Sequence, residues 1–286
     1  MKQLSILGLG LMGGSLGLAA RRRGLADRIR GYARREETRR LAAACGAVDE
    51  VFADPAEAVR GADVCVLCVP VLVIPELARA CRPGLGAETL VTDVGSTKAV
   101  LSKDVRRAID GTGAVFVGSH PIAGSDETGI EAARADLYEG ALTVVTPAAE
   151  TDAGAVTAVS DMWRGLGATV RVCSPEAHDA VIARTSHLPH LAAVGLVHTV
   201  LGGGGEDVGA FCGTGFGDTT RVAGGSEDVW HDIVKTNAEA VAGALADYRD
   251  EIERVMDFVQ RRDFEGLREW LKEGRDARRA WRRRMP

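Results

Sequence analysis

Leu4-Ser5-Ile6-Leu7-Gly8-Leu9-Gly10-Leu11-Met12-Gly13-Gly14-Ser15-Leu16 is the stretch that decides how this chain folds. A short β-branched and aliphatic run hands over directly to a GxGxxG segment, and an apolar helical pattern follows. The order predicts a strand, a tight turn and a helix. Each glycine has a separate task in such a turn. Gly8 permits the sharp reversal, Gly10 leaves the backbone open to a pyrophosphate, and Gly13 lets helix and strand pack closely. The unpaired N–H groups of the helix start, from Leu11 and Met12 onward, then face the phosphates. Gly8, Gly10, Leu11, Met12 and Gly13 are therefore the candidate cofactor-binding residues.

Outward from this turn, short strand-like runs alternate with helical stretches. The runs are 4–7, 28–32, 64–69, 90–92, 114–117, 142–145 and 169–172. This alternation is the pattern of a doubly wound parallel α/β sheet, so an amino-terminal Rossmann domain is expected over 1–174. Ser174-Pro175 opens a different texture. Glu176 to Leu201 reads as one apolar helix interrupted at Pro189, Asp228 to Val259 has helical periodicity, and no later segment resembles a parallel strand. An all-helical carboxyl-terminal domain is expected over 175–286. The arginines of the turn-rich last stretch, Arg275, Arg278, Arg279, Arg282, Arg283 and Arg284, read as a solvated helix face.

A length of 286 residues suits two modest domains, and 46% hydrophobic with 26% charged residues is ordinary for a globular protein. The net charge of -5 offers no general attraction to nucleic acid or an anionic bilayer, so a small-molecule substrate is expected. The six cysteines lack the spacing of a disulfide or zinc framework. Cys65 and Cys68 form a CxxC, but strand alternation puts them on opposite faces, and no metal is expected. No apolar run reaches the ~20 residues of a membrane span, and the first apolar run is broken by glycines rather than built as a secretory signal. A cytoplasmic protein follows.

Beyond the second strand, dinucleotide domains selective for NAD carry an acidic residue for the adenosine ribose. This chain has Ala33-Arg34-Arg35. Without the carboxylate a 2′-phosphate is not repelled, and Arg34, with Arg35 beside it, can pair with that phosphate. NADP is expected to be preferred over NAD. Two further segments follow strands, where this architecture binds ligands. Asp93-Val94-Gly95-Ser96-Thr97-Lys98 comes first and Gly118-Ser119-His120-Pro121-Ile122-Ala123-Gly124-Ser125 second. An imidazole changes charge near neutral pH, which makes His120 a candidate proton acceptor. Ser186-His187-Leu188-Pro189-His190 and Phe216-Gly217-Asp218-Thr219-Thr220-Arg221 add polar residues that core packing does not explain.

These segments resemble one known family, that of prephenate dehydrogenase with arogenate and cyclohexadienyl dehydrogenase, the TyrA group of tyrosine biosynthesis. The likeness covers nearly the whole chain. It rests on GLGLMGGSL, DVGSTK at 93–98, SHPIAGS at 119–125, LYEGA at 137–141, SPEAHD at 174–179, SHLPH at 186–190, GFGDTTRVA at 215–223 and Trp230-His231-Asp232-Ile233. The resemblance implies an oxidative decarboxylation with hydride transfer to NAD(P). It assigns His120 as the general base and Ser96 as the residue holding the ring hydroxyl at the nicotinamide end. Arg221 would clamp a substrate carboxylate, with Asp218 orienting it, and His187, His190 and Ser125 would line the substrate pocket.

Two positions depart from the family pattern. Asp126 stands where Glu is frequent, and His231 where Arg is expected, which leaves prephenate, arogenate and an amino-substituted analogue all open as substrate. The sequence as read runs from the first strand to the last helices, so no fused mutase or regulatory domain is expected. The apolar helices imply a homodimer. A β-hydroxyacid dehydrogenase would need a lysine on the long helix, and 176–201 contains none. A non-enzymatic NADP sensor would not need His120, Ser96 and Arg221 together.

Overall fold

The computed structural model describes residues 1–123, 127–202 and 208–283. Strand β1 (Gln3–Leu7) leads into helix α1 (Leu11–Arg22), and β2 (Arg28–Tyr32), α2 (Glu36–Ala44), β3 (Glu50–Phe52) and α3 (Pro55–Val59) follow. The second half of the sheet comes from β4 (Val64–Leu67), α4 (Ile74–Cys81), β5 (Leu90–Asp93), α5 (Ala99–Ala108) and β6 (Val115–Phe116). These six strands are parallel, in the order β3-β2-β1-β4-β5-β6. The order reverses between β1 and β4. A crevice therefore opens beyond their carboxyl ends, where the glycine turn lies.

Side-chain alternation fills both faces of this sheet. Leu4, Ile6, Val64 and Val66 join one buried cluster with Leu16, Tyr138 and Trp163. Leu7, Cys65, Leu67 and Val91 join another, with Ile74, Leu101 and Phe116. Cys65 and Cys68 fall in different clusters, as a period of two requires. Both are free thiols.

The rest of the α/β layer departs from a single parallel sheet. The run at 114–117 stops at Phe116, and β7 (Gly118–Ile122) opens a separate three-stranded sheet with β8 (Leu142–Thr146) and β9 (Thr169–Val172). β7 runs antiparallel to β8, while β8 and β9 are parallel. His120-Pro121 thus lies in a strand rather than a loop. Proline has no N–H to donate, so β7 can occupy only an edge, and it does. Between β8 and β9, helix α6 (Ala153–Gly165) buries Trp163 beneath the new sheet.

The helical segment begins with α7 (Pro175–Ile182), capped by the Ser174 side chain on the Ala177 N–H at 3.1 Å. A π-helical turn, Ala183–His187, separates it from α8 (Leu188–Leu201). The interruption expected at Pro189 lies one turn earlier. Pro189 leaves the carbonyl of Thr185 without its i+4 donor and crowds it, so the distortion falls on the preceding turn. Next come α9 (Thr214–Thr220), a 3-10 turn at Arg221–Gly224 and α10 (Glu227–Thr236). Helix α7 packs on α5 and β8, so the start of the helical segment is built onto the sheet layer. The compact units are Met1–Ala238 and Glu239–Pro286.

The second unit contains α11 (Ala238–Arg261, its first residue in the first unit) and α12 (Phe264–Arg282). The last stretch, read as turn-rich, is this 19-residue helix, capped by Asp263 on the Gly266 N–H at 2.9 Å. Its arginines from Arg275 to Arg283 are exposed, and Arg284 lies outside the described residues. Among the described residues no helix is long and apolar enough to cross a membrane.

Candidate active site

The glycine turn has the shape that its sequence requires. Gly8 adopts φ +107°, and a Cβ there would lie 2.4 Å from the Cys68 carbonyl oxygen. A Cβ on Gly13 would lie 1.9 Å from the Gly8 carbonyl oxygen. Gly10 is different, because a Cβ there would meet nothing within 4 Å. Its open side faces the groove, and no side chain caps the first turn of α1 and no acidic residue occupies it. The site can therefore accept an anion.

Two cavities of about 370 and 420 Å³ share Gly10, Val69, Pro70 and Gly129 and form one groove. Tyr32, Ala33, Arg34, Arg35 and Thr38 line one end. Arg39 fixes that loop by donating to the Ala33 and Arg34 carbonyls at 2.8 and 2.9 Å. Leu11, Met12, Cys68, Gly95 and Ser96 line the other end, with Val229, Asp232 and Ile233 of α10. Every expected cofactor residue except Gly13 lines the groove, and Gly13 shapes it from behind.

Beyond Ser96, polar side chains form a buried chain of hydrogen bonds. Asp93 ends β5 and accepts from the Gly95 and Ser119 N–H groups at 2.8 and 3.0 Å. Lys98 is 1% exposed and pairs with Asp93, which is fully buried, while also donating to the Ser119 carbonyl at 2.8 Å. Ser119 donates to the Asp93 carbonyl at 2.6 Å and accepts from the Trp163 indole at 2.9 Å. The strand carrying His120 is thus held from its preceding residue. His120 itself meets His178 of α7, Nδ1 to Nε2, at 2.9 Å. The Nδ1 of His178 lies 2.8 Å from Asp179, whose two oxygens accept the Lys98 and Ala99 N–H groups at 2.8 Å each.

The other predicted histidines lie alongside. Asn237 donates to the Asp179 carbonyl at 2.9 Å and contacts His187 Nδ1 at 3.3 Å. His190 stacks on Trp230, with centroids 3.5 Å apart and planes 11° from parallel. Among the described residues His187 Nε2 and His190 Nδ1 are buried without a hydrogen-bond partner. Arg221 is exposed in the 3-10 turn after α9. The structure does not join it to Asp218, which is exposed and makes no hydrogen bond or ion pair with it. Ser125 and Asp126 lie outside the described residues. His231 is exposed and pairs with Asp232 at 3.1 Å.

Burial governs the titration of these rings. It pushes the His120 pKa well below the ordinary histidine value, and coulombic repulsion from His178, Lys98 and His187, whenever they carry charge, pushes the same way. Burial likewise takes His187 down to about 4, against the opposing pull of Asp179. His190 is lowered by burial while the Val222 backbone opposes the shift. The unfolded chain therefore binds protons at these rings near pH ~6.5, and the folded chain only at lower pH. Their contribution to stability is complete above that unfolded value and is lost as pH falls toward the folded ones. Urea midpoints measured from about pH 7.5 to about pH 4.5 are expected to fall, each ring adding a slope of at most about 1.4 kcal/mol per pH unit. His187→Asn flattens the profile, and an unchanged slope in that variant would contradict the assignment.

Sequence reading left His178, Asp179, Lys98, Asp93, Trp230 and Asn237 without roles. Most lie inside segments quoted for the resemblance, DVGSTK, SPEAHD and the Trp230 stretch, but spacing alone does not pair His120 with a residue 58 positions away.

Comparison with known proteins agrees with this architecture. Residues 16–172 match the model of the prephenate dehydrogenase nucleotide-binding domain, and residues 174–273 match that of the prephenate dehydrogenase dimerization domain. The cyclohexadienyl dehydrogenase of Zymomonas mobilis is 33% identical over 280 residues, which is 97% of this chain and 95% of that protein. The crystal structure of Aquifex aeolicus prephenate dehydrogenase in complex with hydroxyphenyl propionate and NAD+ superimposes with a TM-score of 0.91 at 33% identity, covering 98% of both chains. Synechocystis arogenate dehydrogenase gives 0.86 at 28% identity, covering 98% of this chain and 99% of its own. With both domain models matched in sequence and nearly the full length aligned, this chain belongs to the prephenate dehydrogenase family.

Proposed function

We propose that the chain is an NADP-preferring dehydrogenase that oxidatively decarboxylates prephenate or arogenate, yielding 4-hydroxyphenylpyruvate or tyrosine. The observation that carries this reading is the junction of two features at Asp93. Its strand leads into Ser96 at one end of the dinucleotide groove, and its carboxylate holds the strand on which His120 sits. A proton acceptor and a hydride-acceptor site are thereby built from adjoining elements.

The groove fits a dinucleotide, since Gly10 leaves room for a pyrophosphate that a side chain would exclude. When bound, the nicotinamide supplies the hydride acceptor. His120 takes the proton of the ring hydroxyl as hydride leaves the carbinol carbon. The ring carboxylate then departs as carbon dioxide, its electron pair completes the aromatic ring, and the proton returns to the phenolate oxygen. No net proton is consumed. A base with a lowered pKa suffices, because loss of hydride makes the hydroxyl strongly acidic. Being neutral through the neutral pH range, His120 is in the form that accepts.

Arg221 supports carboxylate binding, because its guanidinium is exposed and has no ion-pair partner among the described residues. His187 and His190 each carry a buried ring nitrogen without a hydrogen-bond partner among the described residues, which supports a polar role for this pair beside the site. Arg34 and Arg35 line the adenosine end, whereas the nearest acids, Glu36 and Glu37, do not, which favours a 2′-phosphate. Six free cysteines fit a reducing cytoplasm. The division of labour we assign is dinucleotide binding to 1–174 and substrate binding with dimerization to 175–286. Leu245, Tyr248, Ile252, Met256 and Val259 recur on α11 at helical spacing, exposed in the single chain, as a homodimer surface would require.

The test is nicotinamide absorbance with prephenate and arogenate, each with NAD and NADP. Turnover of at least one substrate is expected, with kcat/KM higher for NADP. A clear advantage for NAD would overturn the cofactor preference, and no turnover of either substrate would overturn the activity.

A further inference from the structure

We infer that His178 and Asp179 are a positioning pair that locks His120 in the tautomer carrying its proton on Nδ1, so that Nε2 is the nitrogen presented to substrate. The inference deepens the reading of His120 as the base and rests on it. It follows from donor and acceptor accounting along one chain of contacts. Both oxygens of Asp179 already accept backbone N–H groups from Lys98 and Ala99. A carboxylate offers only lone pairs, so His178 Nδ1, 2.8 Å away, must be the donor. A neutral His178 then has a lone pair on Nε2. That nitrogen is 2.9 Å from His120 Nδ1, which must therefore donate. The remaining lone pair of His120 is on Nε2.

The arrangement does more than select a tautomer. When His120 Nε2 takes the hydroxyl proton, the new imidazolium keeps its Nδ1–H bond to His178, and His178 keeps its own to Asp179. Neither partner changes its proton count, and the positive charge faces an aligned row of dipoles ending in a carboxylate. A carboxylate plays the corresponding part beside the catalytic imidazole of serine hydrolases. Here a second imidazole is interposed. Asp179 is in turn fixed by the amino-terminal end of α5, and Asn237 holds its backbone carbonyl at 2.9 Å, so the pair is rigid.

Long-range proton–nitrogen NMR spectra of the free enzyme labelled with ¹⁵N-histidine test this directly. His120→Asn and His178→Gln spectra assign the two rings. Both rings are expected in the Nδ1–H form, against the usual preference of histidine for Nε2–H. Finding His120 protonated on Nε2 would overturn the inference while leaving its role as base open to the separate test of His120→Asn turnover. Kinetics supply a second readout. His178→Leu removes the acceptor and is expected to lower kcat on the order of 10- to 10²-fold, the equivalent of one hydrogen bond to a charged group, with substrate KM nearly unchanged. His178→Gln can accept from His120 and donate to Asp179, so it is expected to recover most of that loss. Equal losses in the two variants would mark His178 as merely structural and overturn the proposal.

Discussion

Replacing His120 by asparagine is expected to lower kcat by about 10² to 10⁴ while substrate KM stays within a few-fold. Asparagine can still donate toward His178 from a similar position, so the strand and the buried chain behind it keep their arrangement. What it cannot do is take a proton. The pH dependence separates this from a packing effect. In the native enzyme the acid limb of kcat/KM is expected to lie below the ordinary histidine value, because burial, reinforced by coulombic repulsion from neighbouring groups, disfavours the protonated ring. In the variant that limb disappears. Steady-state kinetics across pH check both statements, and near-normal turnover would remove His120 from the chemistry.

The cofactor half of this site could be read from the sequence because its geometry is local. Gly8, Gly10 and Gly13 lie within six residues, and each constraint on them, a positive φ, an open face or a close approach, acts between neighbours in the chain or along a single strand-to-helix unit. Five strands of the six-stranded sheet were legible for the same reason, since alternation in β1 and β4 sorts side chains between two faces. β3 escaped because three residues at an edge carry no periodicity. β7 escaped because a histidine and proline between glycines have turn chemistry, and only its edge position makes a strand of them.

The catalytic half depends on contacts between distant segments. His120 meets His178 across 58 positions, and Lys98 meets Asp179 across 81. Residue type identified His120 as a proton acceptor. No periodicity could show which nitrogen it presents. The last stretch reads as turn-rich where a helix capped by Asp263 forms, because that cap acts from outside the helical pattern, whereas its described arginines do lie on an exposed helix face as their charge suggests.

The Lys98–Asp93 pair carries the second large effect. Lys98→Met keeps an unbranched apolar stem of similar length and removes only the charged head. Asp93 then retains the Gly95 and Ser119 N–H donors but has no counterion in a fully buried position. Breaking one partner of a buried pair costs about 3–5 kcal/mol, and a loss in that range is expected in chemical denaturation. The Ser119 carbonyl also loses its donor, so the segment before His120 loosens and turnover falls with stability. Asp93→Asn combined with Lys98→Met leaves no charge at this pair and is expected to recover much of the stability. If the double variant were no better than Lys98→Met alone, the penalty would not come from an uncompensated carboxylate.

The account stands on where the His120 ring points when the groove is filled. A crystal structure with NADP and 4-hydroxyphenylpyruvate measures this directly. The expected result is His120 Nε2 within hydrogen-bond reach of the ring oxygen, about 2.6–3.2 Å, with the carbon bearing that oxygen against the nicotinamide beside Ser96. A ring oxygen bound elsewhere, with His120 Nε2 turned from it, would contradict the proposed chemistry.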